Sequence, residues 1–511
     1  MSSRRLPVRA PLALILALLA AHLATALWFV LDRSPGSAAA WVGLPLDDAW
    51  IHLVYSRSIA ALQGFAYNPG QLETGSTSPL WAIVLVPASW LARLCHASVV
   101  LPSKVTTLAA GVGASLAAAR LARGLGFGVG VGAVAGLVIA VDPALAFAQV
   151  SGMEVMLASA LALWAVGELA HARYHVAGIA AGLAPLARPE MALLSLPVLA
   201  LAEWRLHAEG ASAKRRVQAL LPGLLAVGGW ASYCGLVTGY LLPSTFYVKA
   251  AMGTDQLARN LVLIFTEILP ASPWFRGGAG VVLLAIGTVM AWRRGAVGQL
   301  TVAFPWVYFL GVAASRELAD GQSFYFLRYL LPAEPFLLAT MAMGGVGVVA
   351  WAWRHRRAAW APGYALAVAA LLMVTLARLP SSLAAEAHLF AWNCQNIEEL
   401  NVAMAVWLKD HVPASDTILV GDAGAARYFA QHRIIDAVGL NDHAWLHREP
   451  RAVSELGHAR YAAFFPALIP ELSQSPSWRP IHRTHTEHLT ICTHCRQSEI
   501  VAYQRIQQPD R

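Results

Sequence analysis

Two adjacent carboxylates, Asp47 and Asp48, stand just beyond the first apolar segment, in the stretch LPLDDAW at residues 44–50. Like charges side by side repel each other and titrate as a pair, so they occur where water, a cation or a proton-transfer task accommodates them. The pair could therefore take up a proton or bind a cation. Two simpler interpretations stay open. The pair could end a solvated loop, or one member could cap the amphipathic helix that DDAWIHLVYSRSIAALQGF predicts.

Further ionisable residues stand at the borders of apolar segments, on the same predicted side of the membrane. An ionisable group at membrane depth is costly, so such groups usually line a cavity or pair with one another. We therefore expect these residues to converge on one face. They are His52, Arg57 and Glu73 in the first loop, Glu154 in SGMEV, Arg188 and Glu190 in LARPE, Lys249 in LPSTFYVK and Arg328 in FLRYLLP.

Five of these residues also have a local alternative. Arg188 and Glu190 could simply pair across the helix-breaking proline between them. Glu154 could be a polar residue at the start of a helix whose hydrogen bonds are satisfied there. Lys249 and Arg328 could extend their charged ends toward the membrane surface.

The composition indicates a polytopic membrane protein. Hydrophobic residues make up 57% of the 511 residues, charged residues make up 13%, and the mean hydropathy is +0.54, whereas soluble chains carry about 25% charged residues. The net charge of +8 does not indicate nucleic-acid binding, because the basic residues form short clusters between apolar segments. This distribution is typical of cytoplasmic loops under the positive-inside rule. The clusters are Arg4, Arg5 and Arg9; Lys214, Arg215 and Arg216; Arg293 and Arg294; and Arg354, Arg356 and Arg357.

The apolar segments and the basic clusters together predict about 11 membrane crossings, with the N-terminus in the cytoplasm and the C-terminus outside. Residues 11–31, about 20 in number, are long enough to form an uncleaved first helix rather than a signal peptide. Residues 79–95 then lie re-entrant or along the membrane surface; if they cross instead, residues 176–203 form one long helix. The other predicted crossings are 102–119, 126–141, 155–170, 176–187, 189–203, 217–239, 278–292, 298–315, 327–351 and 358–378.

Two domains are predicted: a transmembrane domain at residues 1–379, whose outer loop 33–78 carries the carboxylate pair, and a soluble α/β domain at residues 380–511. Both the loop and the second domain are expected on the outer face. The segments DTILVGDAGAARYF, HRIIDAVGLND and YAAFFPALI predict strands and a glycine turn. We expect this turn to face the catalytic cavity and guide the acceptor. The turn lacks the full GxGxxG pattern, so dinucleotide binding is not expected.

The cysteines divide between the two predicted domains. The first two lie in or near apolar segments, where we expect inert packing. The last three lie in the second domain, where an outer location permits a disulfide. The CTHC motif with nearby histidines also leaves a zinc site open, although a second CxxC is missing. The cysteines are Cys95, Cys234, Cys394, Cys492 and Cys495.

An ordered series of motifs resembles the C-type membrane glycosyltransferases, especially the branch that contains the mycobacterial terminal arabinofuranosyltransferases. The segment DDAWIHLVYSRSIAALQGFAYNPGQLETGSTSPLW is similar to the first outer loop of that branch. SGMEV, LARPE, LLPSTFYVKA, RYLLPAEP, DAGAARYF and IIDAVGLND resemble later motifs of the family, in the same order. The resemblance covers nearly the whole chain. Met153, Val155 and Ser244 depart from the family's usual residues.

This resemblance implies a mainly α-helical GT-C fold in the cytoplasmic (inner) membrane and an inverting glycosyltransferase activity. The implied donor is a polyprenyl-phosphate sugar, with arabinofuranose as the first candidate sugar, and the implied acceptor is a cell-envelope glycan or a protein. The acceptor hydroxyl must lose its proton as an oxocarbenium-like centre forms, so one carboxylate should act as general base. Asp47 is the first candidate for this base, and Asp48 is the second.

The departing phosphate accumulates negative charge that cations or a metal must stabilise. Lys249, Arg328 and Arg188 are the candidate cations. Alternatively, Asp48 and Glu154 could hold Mg²⁺ or Mn²⁺ through oxygen ligands, and the sequence leaves both options open. The residues expected to contact substrate are His52, Tyr55, Glu73, Glu154, Glu190 and Tyr247.

A transporter or flippase for a lipid-linked glycan is the alternative from another class, because it would also place charges in a membrane cavity. Transporters commonly contain internal repeats, and the two halves of this sequence show no repeat. The sequence therefore favours the enzyme.

Overall fold

Long apolar helices form the first part of the structure. The computed structural model describes residues 9–249, 254–276, 278–315, 318, 327–355, 361–491 and 497–506. A span needs about 20 apolar residues, because the hydrocarbon core of a bilayer is about 30 Å thick. Among the described residues, six helices are long and apolar enough to cross: Leu12–Val30, Val100–Gly124, Pro189–Ala208, Ala213–Thr238, Ala296–Ser315 and Leu331–Arg354.

Five shorter helices coincide with the remaining predicted crossings. Together with the six long helices, they match the predicted apolar segments one by one. The number that actually cross stays a prediction. The shorter helices are Val129–Val141, Val155–Ala170, Tyr174–Ala187, Ala279–Trp292 and Ala361–Ala377.

Residues 176–203 do not form one long helix. Helices Tyr174–Ala187 and Ala192–Ala208 pack together and are joined by a 3₁₀ turn at Pro189–Met191. The residue before a proline is pushed out of the helical region, and Arg188 accordingly has φ −153° and ψ 127°. The helix therefore ends where the sequence places this proline.

Residues 79–95 form two short helices. Pro79–Val84 has six residues and Val86–Leu94 has nine, so each is far shorter than the span of about 20 residues. Leu85 between them is itself in the helical region, so Pro79–Leu94 is together as long as helix Val155–Ala170. Whether this segment crosses stays a prediction.

A close backbone contact fixes the helix that ends at Arg188. Gly182 on Tyr174–Ala187 faces Gly223 on Ala213–Thr238, and a Cβ added at Gly182 would lie 2.1 Å from the Gly223 Cα. Small residues allow membrane helices to approach this closely. The contact positions the helix end from which Arg188 extends.

The first loop, residues 33–78, contains two helices, Ala39–Val42 and Asp47–Ala60. It continues into an antiparallel hairpin of β1 (Ala66–Asn68) and β2 (Gln71–Leu72). Further short helical elements connect the apolar helices. They are Pro143–Ala148, Ser244–Lys249, Thr254–Leu263, Ile264–Ile268, Leu269–Ala271 and Leu331–Ala333.

The C-terminal part is an α/β domain, as predicted. A parallel core of β3 (Thr417–Val420) between β4 (Arg433–Asp436) and β5 (Tyr461–Phe464) continues into antiparallel β7 (Glu499–Arg505) and β6 (Trp478–His485), in the order β4-β3-β5-β7-β6. The helices of this part are Leu379–Ile397, Glu398–Val402, Ala403–His411, Gly424–Ala430, His443–Leu446, Pro450–His458 and Pro470–Ser473.

Side-chain alternation along the strands gives this sheet two buried faces. Ile418 and Val420 of β3 join the large core that continues into the apolar helices, whereas Leu419 joins a separate cluster with Phe464 and Tyr503. Successive strand residues point to opposite faces. The sheet is therefore packed against the transmembrane part on one side only.

The cysteines are only partly described. Cys394 and Cys234 are buried and carry free thiols, while Cys95 is exposed rather than packed as predicted. Cys492 and Cys495 lie outside the described residues, so the predicted disulfide or zinc site also lies outside them.

Candidate functional site

A pocket at the border of the apolar helices brings six predicted site residues together. It encloses about 510 Å³, its open mouth included. A concave site with convergent polar groups is the usual place for a ligand. The six residues are Asp48, His52, Glu154, Arg188, Glu190 and Arg328.

Local sequence explains how the segments present these side chains. Asp48 and His52 are four residues apart on helix Asp47–Ala60, so they share one helix face. Glu154 stands immediately before helix Val155–Ala170, and Arg188 stands at the proline break. Helix ends and breaks therefore direct charged groups into the pocket without placing them in the middle of a span.

A buried ionic network joins three of the segments. One terminal nitrogen of Arg188 lies 2.6 Å from Glu154 Oε1, and Arg188 Nε lies 3.6 Å from Glu190 Oε2. His52 Nε2 lies 3.3 Å from Glu154 Oε2. Buried charges are tolerated when they are paired in this way. Arg188 and Glu190 do pair, but as part of a larger network.

Asp48 and Arg328 form a second pair in the pocket. Arg328 Nη2 lies 2.5 Å from Asp48 Oδ2, and the Asp48 side chain is 27% exposed. The Tyr329 ring contacts both guanidiniums, with the Cζ atoms of Arg188 and Arg328 each 5.1 Å from its centroid. Tyr329 was missed as a site residue. The sign in the sequence that could have identified it was its position next to Arg328 in RYLLP.

The ionic network keeps Glu154 ionised. Burial by itself raises the pKa of Glu154, but Arg188 and His52 outweigh burial and hold that pKa at about 2. A carboxylate with so low a pKa is a poor proton acceptor near neutral pH. Glu154 therefore acts as the anion of the ionic network and is a poor candidate for the general base.

Asp47 lies outside the pocket, against the C-terminal domain. Its Oδ2 accepts a hydrogen bond from the Gly424 amide at 2.7 Å, and its Oδ1 accepts one from the Ala425 amide at 2.8 Å. Burial, reinforced by the nearby Asp422 carboxylate, raises the pKa of Asp47 well above its usual range. Asp47 thus satisfies the first amides of helix Gly424–Ala430. The predicted glycine turn meets Asp47 here.

The interpretation that one member of the pair caps its own helix is wrong. Helix Asp47–Ala60 begins at Asp47, its N-cap is Leu46, and no side chain caps it. The capping interaction is made instead with a helix far along the chain.

Tyr55 and Glu73 also contact the C-terminal domain rather than line the pocket. The Tyr55 hydroxyl donates to Asn441 Oδ1 at 3.0 Å, and Glu73 Oε2 lies 2.9 Å from His443 Nδ1. Both side chains are fully buried. Arg57, from the same loop, donates to the Tyr428 carbonyl at 2.9 Å. The first loop therefore holds the domain through side chains that the sequence suggested for substrate.

Tyr247 and Lys249 belong to helix Ser244–Lys249. Tyr247 is 40% exposed and packs against Tyr240, with ring centroids 5.4 Å apart. Tyr247 does not line the pocket, although Thr245 of the same helix does. The Lys249 side chain lies outside what the structure describes, so its predicted phosphate contact stays a prediction.

Gly424→Ala is expected to loosen the contact between the first loop and the C-terminal domain. A Cβ at Gly424 would lie 2.0 Å from the Asp47 carbonyl oxygen, and overpacking typically costs about 1–3 kcal/mol. Thermal unfolding in detergent and protease sensitivity of the domain would measure the effect. Gly457→Ala is the matched control, because a Cβ there meets nothing within 4 Å. Equal behaviour of the two variants would contradict the tight contact.

The two candidate metal ligands, Asp48 and Glu154, each lie beside an arginine. The described part of the chain contains no group of three or more His, Cys, Asp or Glu residues that could hold one. Asp48 instead pairs with Arg328, and Glu154 pairs with Arg188. Binding of Mg²⁺ or Mn²⁺ by Asp48 and Glu154 stays a prediction.

The fold and the pocket together define a polytopic membrane protein of the GT-C fold. The structure is similar to that of ArnT from Cupriavidus metallidurans bound to undecaprenyl phosphate, with a TM-score of 0.58 and 15% identity over 98% of this chain and 99% of that chain. The apo state of ArnT gives a TM-score of 0.58 and 17% identity over 97% and 98%. The GT-C fold predicted from the motifs is confirmed by this likeness.

A second likeness supports the same fold. The archaeal oligosaccharyltransferase AglB from Archaeoglobus fulgidus, in complex with an inhibitory peptide and a dolichol-phosphate, gives a TM-score of 0.51 and 12% identity over 88% of this chain and 69% of that chain. Residues 393–503 match a family model described as a domain of unknown function, DUF8728. No curated protein sequence matches this chain significantly.

Proposed function

We propose that the protein is a glycosyltransferase that moves a sugar from a polyprenyl phosphate to an acceptor hydroxyl. The observation that carries this proposal is the pocket itself, in which the partly exposed carboxylate of Asp48 lies beside Arg328 at the border of the apolar helices. A lipid-phosphate donor presents its reactive carbon at such a border. The complex of the structurally similar ArnT with undecaprenyl phosphate supports this class of donor.

The reaction is a single displacement at the anomeric carbon. The acceptor oxygen forms a bond to that carbon while the bond from the carbon to the phosphate oxygen breaks, and the bonding electrons leave with the phosphate. The acceptor proton passes to a carboxylate. Attack opposite the leaving group inverts the configuration.

Asp48 is our proposed general base. Asp47 is buried and uses both carboxylate oxygens to accept backbone amides, and the Glu154 side chain is only 5% exposed between Arg188 and His52. Asp48 lines the pocket and is partly exposed, so an acceptor hydroxyl can reach it. We therefore propose Asp48, and not Asp47, as the general base.

Arg328 is our proposed phosphate-stabilising residue, with Lys249 as a further candidate. Charge-assisted hydrogen bonds from a guanidinium suit a phosphate whose negative charge grows as the bond breaks. Arg188 is enclosed by Glu154, Glu190 and the Tyr329 ring. We therefore assign Arg188 a positioning role.

A second cavity supports a lipid-borne donor. It has about 990 Å³ of free space, open solvent included, and borders the segment that carries Arg328, because Leu327, Leu330 and Leu331 line it. Most of its other lining side chains are leucine, isoleucine, alanine and proline, with a phenylalanine. The lining also contains Asp142, Glu334, Glu386 and Arg276, so the isoprenoid chain of a donor would lie along the leucine and isoleucine side chains.

The finer assignments rest on the sequence motifs. We propose a pentofuranose, arabinofuranose first, as the sugar and a cell-envelope glycan or protein as the acceptor. We also propose that the pocket and the C-terminal domain face outward from the inner membrane, because the basic clusters lie between the other ends of the helices.

A donor assay tests the proposed function. The purified protein in liposomes should release polyprenyl phosphate from at least one labelled polyprenyl-phosphate sugar and pass the label to an envelope acceptor, and mass spectrometry would identify the transferred residue. Arg328→Gln should lose most of this activity. Movement of intact labelled lipid across the bilayer without release of polyprenyl phosphate would instead identify a flippase and overturn the proposal.

A further inference from the structure

Among the described residues, three hydroxyl groups that line the pocket have no hydrogen-bond partner. Ser76, Ser78 and Thr245 are each at most 2% exposed, and all three line the pocket. Among the described residues, their hydroxyl oxygens have no hydrogen-bond partner, and neither has His52 Nδ1 on the facing helix. Buried polar groups are normally paired, so four unpaired groups around one pocket call for an explanation.

Neighbouring hydroxyls in the same two segments behave differently. Thr74 and Ser244 bond to each other: their hydroxyl oxygens are 3.0 Å apart, and the Ser244 amide donates to Thr74 Oγ1 at 3.1 Å. This contact fixes the segment that carries Ser76 and Ser78 against helix Ser244–Lys249. Thr74 and Ser244 therefore hold the two segments together, whereas Ser76, Ser78 and Thr245 are left unpaired.

We propose that Ser76, Ser78 and Thr245 form a subsite for the hydroxyl-bearing sugar ring of the donor. A hydroxyl side chain both donates and accepts hydrogen bonds, and so does each hydroxyl on a sugar, whereas an ionised phosphate only accepts. The phosphate has a better partner in Arg328, which lines the same pocket. His52 Nδ1 adds one further polar contact toward the ring.

This inference rests on the proposed function and specifies which part of the pocket recognises the sugar. A site that hydrogen-bonds substrate hydroxyls rejects analogues that lack them, because its own buried groups are then left unpaired. The subsite therefore selects polyhydroxylated sugars over deoxy sugars.

Binding measurements separate sugar recognition from phosphate recognition. The probes are undecaprenyl phosphate and a panel of undecaprenyl-phosphate pentoses and hexoses, measured with the full-length protein in nanodiscs. For the sugar that binds best, Ser76→Ala, Ser78→Ala and Thr245→Val should each raise Kd about 10-fold, roughly the effect of one hydrogen bond. The Kd for undecaprenyl phosphate should change less than about twofold in each variant, which also shows that the variant is folded.

Ser244→Ala is the matched control, because it removes a neighbouring hydroxyl that is already paired. It should lower the thermal stability and leave the ratio of the two Kd values unchanged. Equal weakening of both lipids in the three variants would assign the hydroxyls to the phosphate, and no weakening of either would make them structural. Either result would overturn the sugar subsite and leave the proposed glycosyltransferase function standing. If the wild-type protein binds undecaprenyl phosphate no more tightly than a neutral isoprenoid alcohol, the proposed function itself fails.

Discussion

Asp48→Asn is expected to lower the rate of sugar transfer by about 10²- to 10⁴-fold, the usual loss when a general base is removed. Asparagine has nearly the same size as aspartate but cannot accept the acceptor proton. Because asparagine keeps the shape of the side chain and Asp48 is partly exposed, the variant should still insert and bind the donor. Single-turnover transfer from a labelled donor, measured beside donor binding, would show a fall in rate at nearly constant affinity.

Two further variants make this result specific. Asp410→Asn removes an exposed carboxylate from the C-terminal domain and should leave the rate unchanged. Asp47→Asn disturbs the acceptor of two backbone amides, so its main effect should be a lower unfolding temperature. A hundredfold loss of rate in Asp47→Asn combined with near-normal turnover in Asp48→Asn would return the base to Asp47.

Arg188→Met is expected to destabilise the protein by about 3–5 kcal/mol, because it leaves the buried carboxylates of Glu154 and Glu190 without their cation. Arg188→Lys keeps the charge and should lose less. The double variant Arg188→Met/Glu154→Leu should recover part of the loss, since it removes both members of one buried pair. Thermal unfolding of the four proteins in one detergent would measure these differences.

The same network predicts a pH dependence of stability. The pKa of Glu154 is lowered from 4.5 to about 2 in the folded protein, so its contribution is fully present above the unfolded pKa. That contribution is lost as the pH falls from about 4.5 toward 2. In Arg188→Met this part of the acid dependence should shrink. An unchanged acid profile together with unchanged stability would mean that Arg188 does not hold the network.

The apolar helices could be predicted closely because each depends on its own sequence. The predicted crossing 155–170 matches helix Val155–Ala170, and 278–292 matches Ala279–Trp292. A long apolar stretch in a membrane must satisfy its backbone internally, which leaves the helix as the available structure. The end of a helix at Arg188 likewise follows from the proline after it.

The roles of Asp47 and Asp48 could not be separated from the sequence, where they are a single motif. Successive residues on a helix point about 100° apart, since one turn takes 3.6 residues. The two carboxylates therefore face different surroundings, Asp48 the pocket and Asp47 the amides of Gly424 and Ala425. Only the position of the C-terminal domain decided which carboxylate stays accessible.

The residues that the first loop contacts could not be predicted from the sequence either. Glu73 meets His443, 370 residues later, and no local pattern marks one as the partner of the other. The same holds for Ser76, Ser78 and Thr245, which are unpaired although they lie close in the sequence to the paired Thr74 and Ser244.

The amino-acid sequence by itself determined the helices, their breaks and the charged residues at their borders, because propensity and hydrophobicity act locally. The tertiary structure alone decided which of those side chains are paired and which face the pocket, because pairing depends on segments that meet only after folding.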